Sequence, residues 1–484
     1  MNKKPPSLSS IEDLRRRVRE VLPEYGDVLV NLMDSLAAGP RIVAASEVAL
    51  SPLCVFALST LYTAIRTASG TARSGSRQAR EITRLLKRIR RVRLAWLDAW
   101  LDRLGVPATD LGEWRVRVLD ATNFPRPKSP TLERGYVHGV DGMRPGHALS
   151  VLAERVADGS WTLPLEIEVV PVGQAPAAFG ATQLAGFIAQ HGWDPEDILA
   201  IDAGYTNAPT LKPMVATGAN LLGRLSGRRV LFEPPPPYSG RGRPPIRGRK
   251  IQLWDGRTLP KTASCDEQVQ VGDGRRFCIT AWDDVRMRQW PERALTLYRV
   301  IEYRANGTRR FKKPLWLIYV GTAAAPLPAQ ARAIYGARFS IEHAFRFLKG
   351  ELGLVSAQFN GPGASDRVRL WVEMVATSMW ELFAMREQAR PAPERRSAPE
   401  AKAPQAQPVP AAPEATQPSP QPTPTPHVTP GAVRKQVLAI FLRLGIERPT
   451  PLSRGKSPGR ATGTRFLPRK RHWIFRKRKP MRAA

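Results

Sequence analysis

Near residue 112 the apolar spacing of this chain changes from helical to alternating, and that switch restricts the fold more than any other feature of the 484 residues. Upstream, "IEDLRRRVREVL", "GDVLVNLMDSLAAG" and "SRQAREITRLLKRIRRVRLAWLDAWLDRLG" keep helical spacing. The last of these carries Ile82, Leu85, Leu86, Ile89, Trp96, Leu97, Trp100 and Leu104 on one face. Downstream, "WRVRVLD" alternates Trp114, Val116 and Val118 with Arg115 and Arg117 and ends on Asp120. "HALSVLAERVADGSWTLPLEIEVVPV" reads as two further strands around the turn Asp158-Gly159. A helix follows in "ATQLAGFIAQHGW". Then comes "DILAIDAGYTN", a short continuous apolar run of the kind buried in a parallel sheet, ending on Asp202. "APTLKPMVATG" predicts a helix and "NLLGRL" a strand. Residues 226–313 break the rhythm and read as an inserted, mostly β subdomain. "PLWLIYVG" then resumes the core sheet, a helix spans 328–353, and "RVRLWVEMVATSMWELFAMREQA" forms an amphipathic helix that closes the domain. The fold class is α/β.

Charge narrows the partners. Lys and Arg number 74 against 42 Asp and Glu, a formal net charge of +32, so a polyanion, and nucleic acid first, is the natural partner. The long basic helix before the switch crowds Arg73, Arg77, Arg80, Arg84, Lys87, Arg88, Arg90, Arg91 and Arg93 opposite its apolar face. Of these, Arg84, Lys87 and Arg88 are candidate contacts to a DNA backbone, a solvated bundle face being the alternative. Residues 390–430 form a Pro/Ala/Gln/Thr tract almost without large apolar side chains, which predicts a disordered, semi-extended linker. From 431 to 484 there are sixteen Lys/Arg and one acid, about +15, with Trp473 and Phe475 available to stack on bases.

Cys54, Cys265 and Cys278 lie far apart and the six histidines share no metal-binding spacing with them, so zinc and disulfides are not expected. The N-terminus has no apolar stretch after its charges, and no apolar run approaches the roughly 18 to 20 residues of a membrane span. A soluble protein of a reducing compartment is expected.

Within 335–349, "YGARFSIEHAFRFLK", a helical projection puts Tyr335, Arg338, Glu342 and Lys349 on one stripe. Ile334, Ile341, Phe345, Leu348 and Leu352 form a separate apolar face. A stripe at the border of the core can hold an anion with Arg338 and Lys349 while Glu342 offers an oxygen to a metal. The alternative is a solvated face with one Arg338–Glu342 ion pair, of a kind worth about 0.3 to 0.5 kcal/mol. Asp120, Asp202 and Glu342 sit on three separate elements. Three such carboxylates can converge on two divalent ions for an in-line phosphoryl displacement, and hard oxygen ligands select Mg2+ or Mn2+.

"VLDATNF", "ILAIDAGYTN" and "YGARFSIEHAFRFLKGELGL" resemble the three catalytic segments of DDE transposases of bacterial insertion sequences, in the branch with a Tyr-x2-Arg-x3-Glu-x6-Lys signature. Tyr335, Arg338, Glu342 and Lys349 reproduce that signature in full. The gap of 140 positions from Asp202 to Glu342 is similar to that made by the β-rich insertion of that branch. The resemblance implies an RNase H-like catalytic core over 111–390 with an inserted β-rich subdomain at about 226–313. A helical, basic, DNA-binding domain over 1–110 would precede it; a linker over 391–430 and a basic tail over 431–484 would follow, and these last two are not supplied by the match. It further implies Asp120, Asp202 and Glu342 as catalytic ligands of two Mg2+ or Mn2+ ions. Arg338 and Lys349 would hold DNA phosphate near the element's end, and Tyr335 would contact the same strand.

The implied activity is binding of terminal inverted repeats in double-stranded DNA, cleavage at the ends and transfer of the 3′-hydroxyl to target DNA. A homodimer would join the two ends, in the nucleoid-associated cytoplasm of a bacterium. A catalytically inactive, transposase-derived DNA-binding protein is the alternative; a basic RNA-binding or architectural protein would leave the three acids as accidents. Inside the insertion, Arg241-Gly242-Arg243-Pro244 looks like the arm that AT-hook peptides lay into a narrow minor groove, which makes Arg241 and Arg243 candidate DNA contacts.

Overall fold

The computed structural model describes residues 11–22, 24–39, 41–42, 44–69, 76–104, 111, 113–126, 135–139, 142–156, 161–240, 242–271, 274–359, 363–389 and 428–443. The expectations for residues 391–427 and 444–484, and for Arg241, concern residues outside that set.

The sheet is built around β1 (Arg115–Pro125), which has partners on both sides. It pairs antiparallel with β3 (Gly142–Val156) and parallel with β5 (Asp197–Ile201). β3 takes β2 (Gly135–Gly139) and β4 (Trp161–Val169) as further antiparallel partners, and β5 pairs parallel with β6 (Asn220–Leu225). The parallel connections are made by α5 (Pro176–His191) and α6 (Ala208–Ala216), as parallel neighbours require a crossover. β5 is buried at every position, the pattern of a strand covered on both faces. β1 is covered on both faces as well. Its Arg117, which alternation alone would send to solvent, is buried over the Trp193 and Phe187 rings and pairs with Asp197 at 2.9 Å.

Two expectations change here. The first strand does not end at Asp120 but runs five residues further, to Pro125, because β3 continues to pair with it beyond the end of β5. The segment expected as an inserted subdomain contributes β7 (Val230–Phe232), β8 (Lys250–Gln252), β9 (Cys265–Gln270), β10 (Arg276–Met287) and β11 (Trp290–Tyr303) to the same sheet. The link is β12 (Leu315–Val320), antiparallel to both β6 and β11. An unpaired β6 edge would expose a row of backbone donors and acceptors, and β12 with the strands behind it satisfies them. Among the described residues the result is one mixed sheet of twelve strands.

Helices α1 (Ile11–Val21), α2 (Gly26–Ala38), α3 (Leu58–Ala68) and α4 (Ser76–Leu104) pack against α9 (Ala364–Ala389), which also rests on β4. α9 is not amphipathic. Trp371, Met374, Trp380 and Phe383 are buried, and so are Glu373, Thr377, Ser378 and Glu381 on its other sides, because helices surround it. Its acids therefore need cations from elsewhere in the chain. Glu373 takes Arg90 and Arg93 from α4, so two arginines expected on a DNA-facing surface are instead internal. Arg90 also reaches Glu168 at 2.6 Å, and Arg93 meets the Leu165 carbonyl, both on β4. α10 (Pro430–Arg443) returns to this layer: Val433, Val437 and Phe441 are buried, and Arg434 pairs with Glu351 at 2.6 Å. Among the described residues no helix is long and apolar enough to cross a membrane.

Glu381 is the badly matched acid of this layer. Arg15 donates Nε and Nη2 to Asp34 at 3.0 and 2.8 Å, but its Nε lies 3.6 Å from Glu381, whose oxygens have no hydrogen-bond partner among the described residues. Burial, and then the charge of Asp34, push the Glu381 carboxyl well above its ordinary value of 4.5. A raised acid keeps its proton in the folded chain while the unfolded chain loses it, so stability falls as pH rises from about 4.5 toward the raised value. Glu381→Gln is expected to melt higher than the wild type at pH 7, the gap closing as the pH falls through 4.5. Thermal melts from pH 4 to pH 8, on the order of one unit apart, check this; a gap that widens on acidification contradicts it.

Candidate active site

Strand register alone brings the first two acids together. Leu119 and Ile201 are the last residues paired between β1 and β5, so Asp120 on β1 and Asp202 just past the end of β5 are the next residue along each of two adjacent parallel strands. Strands lie about 4.8 Å apart, which places the carboxylates side by side. The chain after Asp202 is pinned in place. Tyr205 N–H donates to the Asp202 carbonyl at 3.0 Å, and the Thr206 hydroxyl lies 2.7 Å from the Arg224 carbonyl on β6. That close approach needs Gly223, where a Cβ would come within 2.3 Å of Thr206 Cγ2. Asn207 then caps α6, accepting from Thr210 N–H at 3.1 Å.

The third acid arrives on a helix that differs from the expected one. The single helix over 328–353 is two: α7 (Pro328–Ala337) and α8 (Ser340–Gly350), joined through Arg338 and Phe339. Across the joint the bonds run from Arg338 N–H to Tyr335, Phe339 N–H to Gly336, Ile341 N–H to Arg338 and Glu342 N–H to Phe339, all i to i+3. Such a tight turn interrupts the regular i to i+4 ladder. α8 is anchored where Ser340 and Thr162 of β4 share a hydrogen bond of 2.5 Å, and Ile341, Ala344 and Leu348 are buried beneath it.

At the joint, Arg338 is the hub of the site. Its Nη1 donates to Asp120 Oδ2 at 2.9 Å, and its Nη2 lies 3.4 Å from Glu342 Oε1 and 3.9 Å from Asp202 Oδ1. Arg338 is 4% exposed, its guanidinium flanked by the rings of Tyr335 and Phe339. Tyr335 is buried too, its hydroxyl 3.5 Å from Asp202 Oδ1. Burial pushes the Asp120 carboxyl above its ordinary range, with Arg338 and the Ala121 N–H partly offsetting it. The Tyr335 phenol is raised by its burial and the Lys349 ammonium lowered by its own.

Four of the residues singled out in the sequence therefore gather around a fifth, Arg338: Asp120, Asp202, Glu342 and Tyr335. Lys349 does not. It lies near the far end of α8, half-buried and without a carboxylate partner among the described residues. Arg84, Lys87 and Arg88 are exposed on α4, and Arg243 is exposed in the loop after β7. Among the described residues no three His, Cys, Asp or Glu side chains close on a common point as metal ligands do. Between the three acids that point is taken by the guanidinium.

Two features of the site went unmarked in the sequence. Tyr205 is buried beside Asp120 and Asp202, its phenol raised far above the ordinary range by burial and then by those two charges. Next to Tyr335 and Phe339 opens a cleft of about 750 Å³, also lined by Arg224, Arg332, Lys312 and Lys313. A second cavity of about 730 Å³ shares Arg224, Lys312 and Lys313 with it and adds Arg228 and the exposed ring of Trp254. Arg224, Lys312 and Lys313 have no carboxylate partner among the described residues. The basic run "RRFKK" at 309–313, with its interleaved Phe311, was the available signal.

No family model matches the chain, and no curated protein matches it. Among solved structures it is similar to a piggyBac transposase in a cryo-EM synaptic complex with hairpin DNA. That similarity has a TM-score of 0.39 at 9% identity and spans 96% of this chain and 86% of that one. A likeness so distant transfers neither fold nor function.

Proposed function

We propose that this chain is a DDE transposase with an RNase H-like core, which binds the terminal inverted repeats of its element, cleaves there and transfers the 3′-hydroxyl to target DNA. The observation that carries the reading is the register of β1 on β5. It sets Asp120 beside Asp202, and α8 brings Glu342 to the same guanidinium. Three acids from three elements around one cation form a site with the charge and the hard oxygen donors that Mg2+ or Mn2+ prefers. Asp120, Asp202 and Glu342 would hold the ions, which when bound supply activation of the attacking oxygen and stabilisation of the leaving one.

The remaining work falls to the chain's own groups. Arg224, Lys312 and Lys313 line the approach to Tyr335 and offer point charges to a phosphate backbone. Phe311, Phe339 and Trp254, each about half exposed, offer faces on which bases stack. Arg338 and Lys349 would grip phosphate on the α8 side, and Arg84, Lys87, Arg88, Arg241 and Arg243 would add contacts further along the duplex. Joining two ends calls for two copies of the chain.

One observation favours a second reading. With Arg338 seated among them, the acids also make a structural ion cluster, as an inactive DNA-binding descendant would retain. Incubating the protein with DNA that carries the inverted repeats flanking its gene, with and without Mn2+, separates the two. Metal-dependent nicks at the repeat ends support the transposase; tight binding without nicks selects the binder.

A further inference from the structure

We infer that Arg338 is the resident counter-ion of the three-acid site, and that DNA phosphate must draw it off before Asp120, Asp202 and Glu342 are free to take divalent ions. The inference rests on the reading of those acids as metal ligands. It makes metal binding and DNA binding one coupled event.

The geometry argues for it in three ways. Arg338 reaches all three acids through its two terminal nitrogens while its Nε is buried without a hydrogen-bond partner among the described residues, so it is held by those carboxylates and by the flanking Tyr335 and Phe339 rings. Without a cation, three carboxylates gathered around so small a volume repel one another; with one, the cluster is stable and a metal must compete with a covalently tethered charge. Second, Arg338 sits at the joint between α7 and α8, where the regular i to i+4 ladder is interrupted, so its swing breaks no continuous helix. Third, a destination lies next to it. Tyr335 and Phe339, whose rings flank the guanidinium, are also walls of the basic cleft. A phosphate held there by Arg224, Lys312 and Lys313 is the strongest competing partner for a planar guanidinium, which binds phosphate bidentately.

Linkage then runs both ways: phosphate that removes Arg338 from the acids raises their metal affinity, and metal on the acids raises affinity for phosphate by the same factor. The arrangement keeps the DNA-free protein from holding the ions that perform cleavage.

The test measures Mn2+ binding directly, by the EPR signal of the free ion, on the full chain. The triad-dependent part is obtained by subtracting the same titration of Asp202→Asn. DNA-free wild type is expected to bind weakly, and Arg338→Gln tighter by on the order of tenfold, within the usual range of coupling factors. Wild type with a short duplex carrying the repeat end is expected to show a similar gain. Arg338→Lys, with a charge but no fork, is expected to gain less, and it replaces the Gln variant if that one does not fold. The wild-type comparison with and without duplex needs no variant at position 338. Equally tight, triad-dependent Mn2+ binding by wild type and Arg338→Gln without DNA would overturn the inference and leave the metal site standing. No triad-dependent binding in any sample, with or without duplex, would overturn both the inference and the reading beneath it.

Discussion

Glu342→Ala is expected to reduce metal-dependent DNA cleavage by at least on the order of a hundredfold, the scale on which removal of one transition-state electrostatic partner is felt. Affinity for DNA should hardly change, because it comes from basic surfaces in a chain of net charge +32 rather than from an acid. Stability should hardly change either. Glu342 is about half exposed and its contact with Arg338 is a longer one, 3.4 Å, so its removal costs no more than about 1 kcal/mol. That makes it the cleanest of the three acids to test. Asp120→Ala should lose cleavage equally but also removes the closest partner of a buried guanidinium, so its melting temperature should fall further than that of Glu342→Ala. Single-turnover cleavage at saturating protein, with melting curves of the same preparations, reads both quantities. Near-normal cleavage by Glu342→Ala would remove the α8 acid from the site.

The largest loss of stability is expected far from the chemistry. Glu373→Ala leaves Arg90 and Arg93 charged, almost wholly buried and short of their shared partner, a situation that costs about 3 to 5 kcal/mol. Arg93 should suffer more. Burial already pulls its guanidinium below the ordinary value, with Glu373 as its main counter-charge, whereas Arg90 keeps Glu168 at 2.6 Å. Replacing Arg93 and Glu373 together by Leu should recover part of the loss, since an apolar pair needs no compensation. Urea unfolding of the three proteins decides it. A double variant as unstable as Glu373→Ala would mean that packing, not charge, sets the cost. The network joins α4 to α9 and β4, so cleavage should fail in Glu373→Ala only at temperatures where the helical layer melts.

How far the sequence alone reached depended on the distance over which each feature is determined. Period-two and helical spacing are local, and they marked β1, β5, β6, β12 and α5 because burial of alternate or neighbouring side chains is set within a few residues. The acids were legible for the same reason: Asp120 and Asp202 stand at or near the ends of recognisable apolar strands, and Glu342 lies in a stripe of fixed gaps. Tertiary structure decided what each charge faces. Arg84 and Arg93 look alike in the helical repeat of α4, yet one is exposed and the other buried, because the carboxylate that accepts Arg93 lies 280 residues away on α9. Strands β7 to β11 carry no local sign that they would extend the core sheet, since that depends on which edge is left open once β5, β6 and β12 have paired. The break between α7 and α8 at Arg338 and Phe339 accompanies α7 packing on β5, β6 and β9 while α8 packs on β4 and β1, a demand no helical projection contains. Sequence put two cations, Arg338 and Lys349, and three carboxylates within the same chemistry. Only packing, by bringing two strands and the joint between α7 and α8 together, placed Arg338 and not Lys349 at their centre, where three close carboxylates need a counter-charge.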